Sequence, residues 1–487
     1  MHFDPTTEIS ANVRNSFFID GEWVESRSSR RHTLVSPATE EDLLSVPLAG
    51  EADVEHAIAA ARKAFDTGPW PLMSGPERAV YLHRLADEIG RRIPLFARLW
   101  TAQVGAPVTF VNRLVQNAKS RFEYFADLSE TYAFEDERPT SRGHARVRRE
   151  PVGVSALIAP WNAFFNIIAF KIPAALAAGC TVIVKSPPEC PLDALVIAEC
   201  AAAAGLPPGV FNVIAADREE SAMLVASRDV DRISFTGGVA TGVQVASSAA
   251  GRLARVTLEL GGKSAAVLLD DAELSSVLPT LAGFAMGFSG QMCVAQSRIL
   301  VPKNRLKEVV DAVAAMAASL KIGDPWDEAT QIGPVLNQRQ MDRILGYIRT
   351  GLKQGGRTVV GGGRSVGFKK GYFVDPTVFT DVTPAMTIAQ EEIFGPVLTV
   401  MTYEDVDDAV RIANLSDFGL SGTVFSRDTE CAYDVACRIR AGHVGVNGLE
   451  MPASVPFGGY KMSGIGRGGG HEGLESYLET KAIFMPT

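Results

Sequence analysis

Between residues 152 and 236 the chain alternates short apolar runs with helical segments, and few folds accommodate that pattern. Gly153-Val-Ser-Ala-Leu-Ile reads as a strand, 165–178 as a helix, Thr181-Val-Ile-Val as a strand and 191–204 as an alanine-rich helix. Val210-Phe-Asn-Val-Ile, a helix at 219–226 and Arg232-Ile-Ser-Phe, ending at Thr236-Gly-Gly, continue the series. Strands apolar along their whole length are buried on both faces, so the pattern predicts a parallel sheet with helices above and below. The texture returns at Ser264-Ala-Ala-Val-Leu-Leu, with helices at 272–289, 304–320, 404–414 and 428–439 and strands near 371–378, 397–403, 421–425 and 443–446. Upstream, 52–66, 76–92 and 94–104 read as three helices, the first carrying Val54, Ile58, Ala61 and Phe65 on one stripe. The expected fold class is α/β, with two doubly wound parallel-sheet domains.

The 487 residues, 46% hydrophobic and 21% charged, suit a soluble globular protein of two or three domains. A net charge of −9 speaks against a nucleic-acid partner. The basic run from Ser141 to Arg149 reads as a solvated strand or subunit contact. Residues 151–170 carry no charge and are long enough to cross a bilayer. Gly153, Pro160, Asn162 and Asn166 interrupt them, however, and Pro160 would break a helix in mid-span, so a buried strand, turn and helix fit better. The first eight residues lack the basic and apolar regions of a secretory signal. Six cysteines with no CxxC pair make no disulfide framework, and the expected compartment is the cytoplasm.

Cys293 lies in Gly-Phe-Ser-Gly-Gln-Met-Cys-Val-Ala-Gln-Ser-Arg, 287–298, where the glycines let backbone approach a ligand closely. Glu259 lies in Leu-Glu-Leu-Gly-Gly-Lys-Ser and Asn162 in Pro-Trp-Asn. A thiol, a carboxylate and an amide supply nucleophile, base and oxyanion donor for chemistry at a carbonyl. Taken singly, they also read as a core thiol, a partner for Lys263 and a turn residue. No set of His, Cys or carboxylates has metal-ligand spacing, so no metal is expected. Residues 464–469 and 468–473 both fit G-x-G-x-x-G, but neither follows a strand into a βαβ unit.

Six motifs occur in register: Pro160-Trp-Asn, Phe235-Thr-Gly, Leu258-Glu-Leu-Gly-Gly-Lys, Gly290-Gln-Met-Cys, Glu391-Glu-Ile-Phe-Gly-Pro and Pro456-Phe-Gly-Gly-Tyr-Lys. Together they resemble the aldehyde dehydrogenase superfamily, from about residue 16 to the C-terminus. The resemblance implies a coenzyme domain (1–128 and 149–260), a catalytic domain (261–470) and a small bridging β-sheet (129–148 and 471–487) through which subunits pair as a homodimer or homotetramer. It implies oxidation of a small-molecule aldehyde to the acid. Cys293 would form a thiohemiacetal and then a thioester, the Asn162 amide and the Cys293 N–H would hold the oxyanion, and Glu259 would activate the hydrolytic water. Glu479 resembles the carboxylate that pairs with Lys171 and relays protons from Glu259, with a plain surface salt bridge as the alternative reading.

For the coenzyme, the resemblance implies that Ile158, Ala159, Pro160, Trp161 and Asn162 line the dinucleotide and that Lys185 reaches the adenosine ribose. Gly237 and Gly238 would approach the pyrophosphate at a helix start, and Phe235, Thr236 and Leu260 are expected among the coenzyme-binding residues. Glu392 would bind the nicotinamide ribose and Phe394 steady its ring. NAD is expected over NADP, with measurable NADP activity. Pro188 stands where a ribose-binding Glu is common, Glu189, Glu219 and Glu220 keep the neighbourhood acidic, and Lys185 and Arg218 attract phosphate. Gly238 also replaces a common Ser, and Gly468-Gly469 a common Glu-Leu. Ala163, Phe170, Met292, Val294 and Phe457 are expected to line an entrance suited to apolar or aromatic aldehydes, with Glu450 the one charge placed nearby. Two alternatives stay open: a CoA-acylating relative, against which Glu259 argues, and a non-catalytic structural or redox-sensing relative, against which the intact trio argues.

Overall fold

Val154–Ile158, Thr181–Ser186, Phe211–Ala215 and Arg232–Thr236 are buried at every position, as uninterrupted apolar strands require. In the computed structural model, which describes residues 3–486, they form the parallel centre of an eight-stranded sheet together with Arg255–Glu259. The sheet order is Glu22–Glu25, Ser16–Ile19, Phe211–Ala215, Thr181–Ser186, Val154–Ile158, Arg232–Thr236, Arg255–Glu259, Gly464–Ile465. Successive strands step one way from Val154–Ile158 and then the other way from Arg232–Thr236. This reversal opens a crevice at the strands' carboxyl ends, where open α/β sheets bind ligands. A second, seven-stranded sheet runs Arg357–Val360, Thr377–Thr380, Val397–Tyr403, Arg298–Pro302, Ala265–Leu268, Ser421–Phe425, His443–Val446.

Neither sheet is wholly parallel, unlike the sequence expectation. Ser16–Ile19, Gly464–Ile465 and Arg357–Val360 join antiparallel, at or next to the sheet edges, where no crossover helix is needed. Gly464–Ile465, expected in the catalytic domain, also crosses the expected boundary at 260, because it pairs with Leu258 and Glu259 of the first sheet. Gly464 makes this closure possible: its φ is +142°, and a Cβ there would collide with the Leu258 carbonyl oxygen.

The break expected after residue 92 does not occur. Gly75–Val104 is one helix, started by a reciprocal Ser74–Glu77 cap and ended by Gly105 at φ 78°. Its buried stripe of Leu82, Leu85, Ile89, Ile93 and Phe96 continues past Pro94, and that packing outweighs the hydrogen bond the proline removes. A helix not foreseen in the sequence, Val108–Thr131, packs beside it and against Phe164–Ala178, with Phe110, Val115, Phe122 and Phe125 buried. Phe96 and Phe165 stack at 3.8 Å to join the layers.

The basic run and the tail meet as one antiparallel sheet, Leu478–Pro486 on Gly143–Pro151 on Glu135–Thr140. Residues 129–131, expected in the bridging segment, instead end the Val108–Thr131 helix. Among the described residues no helix is long and apolar enough to cross a membrane.

Candidate active site

Phe288, Ser289 and Gly290 all take left-handed backbone, with φ of 52°, 55° and 69°. The helix expected over 272–289 therefore stops at Leu281, widens through 282–286 and reverses. Three contacts hold the reversal. Phe288 is buried edge-on to Trp100 at 5.7 Å, Ser289 donates to the Gly333 carbonyl at 2.7 Å, and the Leu336 N–H donates to Gln291 Oε1 at 3.0 Å. A Cβ on Gly290 would collide with the Gly395 carbonyl, so only glycine fits. The turn delivers Cys293 half-buried beside Val294, Leu420 and Leu449. Burial, reinforced by the Glu392 and Glu259 charges, pushes its thiol up to about 12.

Asn162 follows the Val154–Ile158 strand and is fixed at both ends. Its carbonyl accepts from Trp100 Nε1 at 2.7 Å, and its Nδ2 donates to the Gln291 carbonyl at 3.0 Å, two residues before the thiol. An amide has two such hydrogens, so one remains for a ligand oxygen. Glu259 ends the Arg255–Glu259 strand, buried, with neither carboxylate oxygen hydrogen-bonded. Burial raises its pKa, and the Lys171 and Arg467 charges oppose that rise. Lys171, buried on Phe164–Ala178, donates to Ser234 Oγ at 2.8 Å, and burial pulls its ammonium down.

Beside the Arg232–Thr236 and Arg255–Glu259 strands of the first sheet lies a cavity of about 930 Å³ that Cys293, Asn162, Glu259 and Lys171 all face. The five residues expected at the entrance, Ala163, Phe170, Met292, Val294 and Phe457, also line it, as does Glu450. Glu479 does not. It lies on the Leu478–Pro486 strand opposite Glu150, exposed, and grips Arg255 with Oε1 to Nε at 2.6 Å. The expected Glu479–Lys171 pair is therefore corrected, and the alternative of a surface salt bridge holds: Lys171 answers to Ser234 and Glu259 instead. Sequence reasoning missed the wall formed by Val108–Thr131, whose Arg113, Asn117, Ser120, Arg121 and Tyr124 face the cavity at helical spacing. That polar stripe was readable in principle, but only once the segment is taken as a helix.

Of the expected coenzyme residues, 158–162 and 235–238 continue from the ends of two neighbouring strands that flank the crevice. Gly238 precedes the Val239–Ala250 helix with open space where a Cβ would sit, and the Gly237 N–H donates to the Glu259 carbonyl at 3.1 Å. Thr236 Oγ1 is buried without a partner on the adjoining strand end. Burial pulls the Lys185 ammonium down to about 8, against the upward pull of Glu189. Glu392 Oε1 accepts from the Gly262 N–H at 3.1 Å, and Phe394, at φ 60°, meets Trp161 edge-on at 5.7 Å. An open helix start, an orphaned hydroxyl and a buried amine fit a dinucleotide. Arg218 is exposed at the start of Arg218–Ala226, Glu220 is occupied by Arg30, and Glu189 pairs with Arg339 at 3.6 Å.

Fold and site together define a class: doubly wound α/β enzymes with a thiol, a carboxylate and an amide facing one cavity. Residues 23–483 match the aldehyde dehydrogenase family, and the chain belongs to that family. It is 42% identical over 470 residues to a geranial dehydrogenase of Castellaniella defragrans, covering 96% of this chain and 98% of that one. A Mycobacterium tuberculosis aldehyde dehydrogenase complexed with NAD+ aligns at 41% identity and a TM-score of 0.94, over 97% of this chain and 98% of that one. A mutant aldehyde dehydrogenase C of Pseudomonas syringae, complexed with NAD+ and octanal, aligns at 40% identity and the same TM-score, over 99% and 98% of the respective chains.

Proposed function

We propose that this protein oxidises an aldehyde to the carboxylic acid with NAD. The observation that carries the reading is the convergence of Cys293, Asn162 and Glu259 on one cavity. The relatives described above, two of them complexed with NAD+, support it. Residues 158–162, Lys185, 235–238, Leu260, Glu392 and Phe394 would hold NAD, which would supply the hydride acceptor.

The thiol carries its proton until a base takes it, since burial holds its pKa high. Solvent water takes that proton, so Glu259, which faces the same space and whose own pKa burial has raised, is kept as the base for the hydrolytic step. The thiolate adds to the aldehyde carbon, and the free Asn162 N–H with the Cys293 N–H takes the oxyanion. Loss of hydride from that carbon leaves a thioester on Cys293. Glu259 then removes a proton from water, which attacks the thioester and frees the acid and the thiol. Lys171, held by Ser234, favours the charged form of Glu259 throughout.

The assembly we propose is a homodimer or homotetramer. The Leu478–Pro486 strand has a partner on one edge among the described residues, and Phe484 is 75% exposed beside Ile483 and Met485. Leu253, 89% exposed, projects beside Ala246, Ala249 and Ala250. The cytoplasm suits six cysteines that are all unpaired. The direct test is NADH formation over an aldehyde panel, with and without CoA, for the native protein and Cys293→Ala. Acid formation without CoA that the variant loses while still binding NAD is expected; near-normal turnover by the folded variant overturns the reading.

A further inference from the structure

Arg121 is 5% exposed and lines the catalytic cavity, and no carboxylate among the described residues is paired to it. Its Nη1 donates to the carbonyl and side-chain oxygens of Asn166 at 2.8 and 3.2 Å, and its guanidinium lies 3.9 Å over the Phe170 ring. Nε is buried without a partner, and Nη2 makes no hydrogen bond. A guanidinium has five N–H donors, so most of this fork is unused. Burial pulls it down to about 9, so it is charged at neutral pH.

A buried charge without a partner is costly, and neutral acceptors with an aromatic face offset that cost only in part. The same imbalance extends through the cavity. Among the described residues that line it, the basic side chains are Arg113, Arg121, Lys171, Arg232 and Arg467, against the two carboxylates Glu259 and Glu450. Lys171 faces Glu259, Arg232 is held by Thr257 and Ser476 at 2.6 and 2.9 Å, and Arg467 by the Gly459 and Gly466 carbonyls at 3.1 and 2.7 Å. Arg232 also keeps a buried Nε without a partner and lies 4.0 Å over Tyr477, whereas Arg121 is the one seated over Phe170. Beside it Phe170, Phe457, Met292 and Val294 give an apolar passage, and Phe170 stacks on Phe457 at 6.4 Å. The cavity thus offers an apolar middle between a nucleophilic thiol and a planar cation.

We propose that Arg121 is a specificity-determining residue that receives a carboxylate at the far end of the substrate, so that the preferred substrates are aldehydes of dicarboxylic half-acids. The inference rests on the aldehyde-oxidising reading above and narrows its substrate class. A carboxylate accepts the guanidinium fork through two parallel bonds, which a methyl terminus forfeits.

The test compares matched series: succinic, glutaric and adipic semialdehydes against butanal, pentanal and hexanal, with NAD saturating, for the native protein, Arg121→Met and Arg121→Lys. At the best-fitting length the native kcat/KM should favour the half-acid by about 10- to 100-fold. Arg121→Met should collapse that ratio, mainly through KM of the half-acid, and Arg121→Lys should retain part of it. A native enzyme that favours the alkanal at every length overturns the proposal, as does a ratio unchanged in Arg121→Met. A merely structural role for Arg121 would depress both series alike and leave the ratio intact. Failure of the underlying reading looks different, with no NADH from either series in the native protein, and ends this proposal with it.

Discussion

Replacing Asn162 by alanine isolates the oxyanion contribution, because the rest of the site is positioned by other groups. The side chain is 4% exposed and commits one Nδ2 hydrogen to the Gln291 carbonyl at 3.0 Å, which leaves one for the substrate oxygen. Losing a preorganised donor of this type costs about 3–4 kcal/mol of barrier, or about 100- to 1,000-fold in rate at roughly 1.4 kcal/mol per decade. The Cys293 N–H survives, so hydride transfer slows without vanishing. A second cost falls on the resting protein: the Gln291 carbonyl, fully buried, loses its donor, worth about 1–3 kcal/mol of stability. The assay is a stopped-flow single turnover at saturating NAD, with coenzyme binding followed by fluorescence and folding by thermal melt. Normal NAD binding, a modestly lower melt and a hydride-transfer rate down by two to three decades are expected. A folded variant that transfers hydride within about fivefold of the native rate would falsify the oxyanion role.

Glu259→Gln should slow deacylation more than hydride transfer, so a burst of NADH appears or grows; slow hydride transfer with no acyl-enzyme would place Glu259 earlier in the cycle. Because burial raises the Glu259 pKa, deacylation in the native protein should quicken as pH rises above the usual carboxylate range, and a flat profile there contradicts the base role. Asp193, buried and accepting from Gln103 at 2.7 Å, is pushed by burial up to about 7 from 3.8. The folded chain then holds a proton that the unfolded chain has released, so the stability this group confers is full below its unfolded pKa and lost as pH rises through about 7. The ceiling is about 4 kcal/mol, and chemical denaturation of Asp193→Asn should show a stability gain over native that grows with pH; a pH-independent difference refutes the linkage. Light scattering should report a dimer or tetramer at assay concentration, and a stable active monomer counts against the pairing strand. NAD should exceed NADP in kcat/KM; a tenfold preference for NADP reverses that order, and Arg218→Ala then shows whether its charge is the cause.

Cys293, Glu259 and Asn162 were legible because each lies where backbone chemistry is restrictive. Gly290 is the only residue that clears Gly395, Glu259 ends a buried strand, and Asn162 occupies the turn after another. Local sequence cannot encode which face a distant strand presents, and Glu479 was misplaced for that reason. Its motif neighbours say nothing of Arg255, more than two hundred residues away, which takes the carboxylate. Arg121 was missed for the opposite reason. The helix Val108–Thr131 begins with β-branched residues and asparagine, poor helix formers, and its cavity-facing stripe is polar where an inward stripe is ordinarily apolar. The antiparallel edges were hidden because two-residue pairings such as Gly464–Ile465 are too short for any periodicity to register.

That two-residue pairing sets the order in which the protein can become functional. The strand carrying Glu259 has no outer neighbour until residues 464 and 465 have been synthesised, some two hundred positions later. A nascent chain that has completed every earlier strand of the first sheet still presents an open edge beside its own base. Contacts so distant in sequence form late, and an unpaired edge invites association with other chains. The N-terminal portion is therefore not a detachable module: cut at residue 260, it would expose that edge and leave Glu259 without the strand that fixes it.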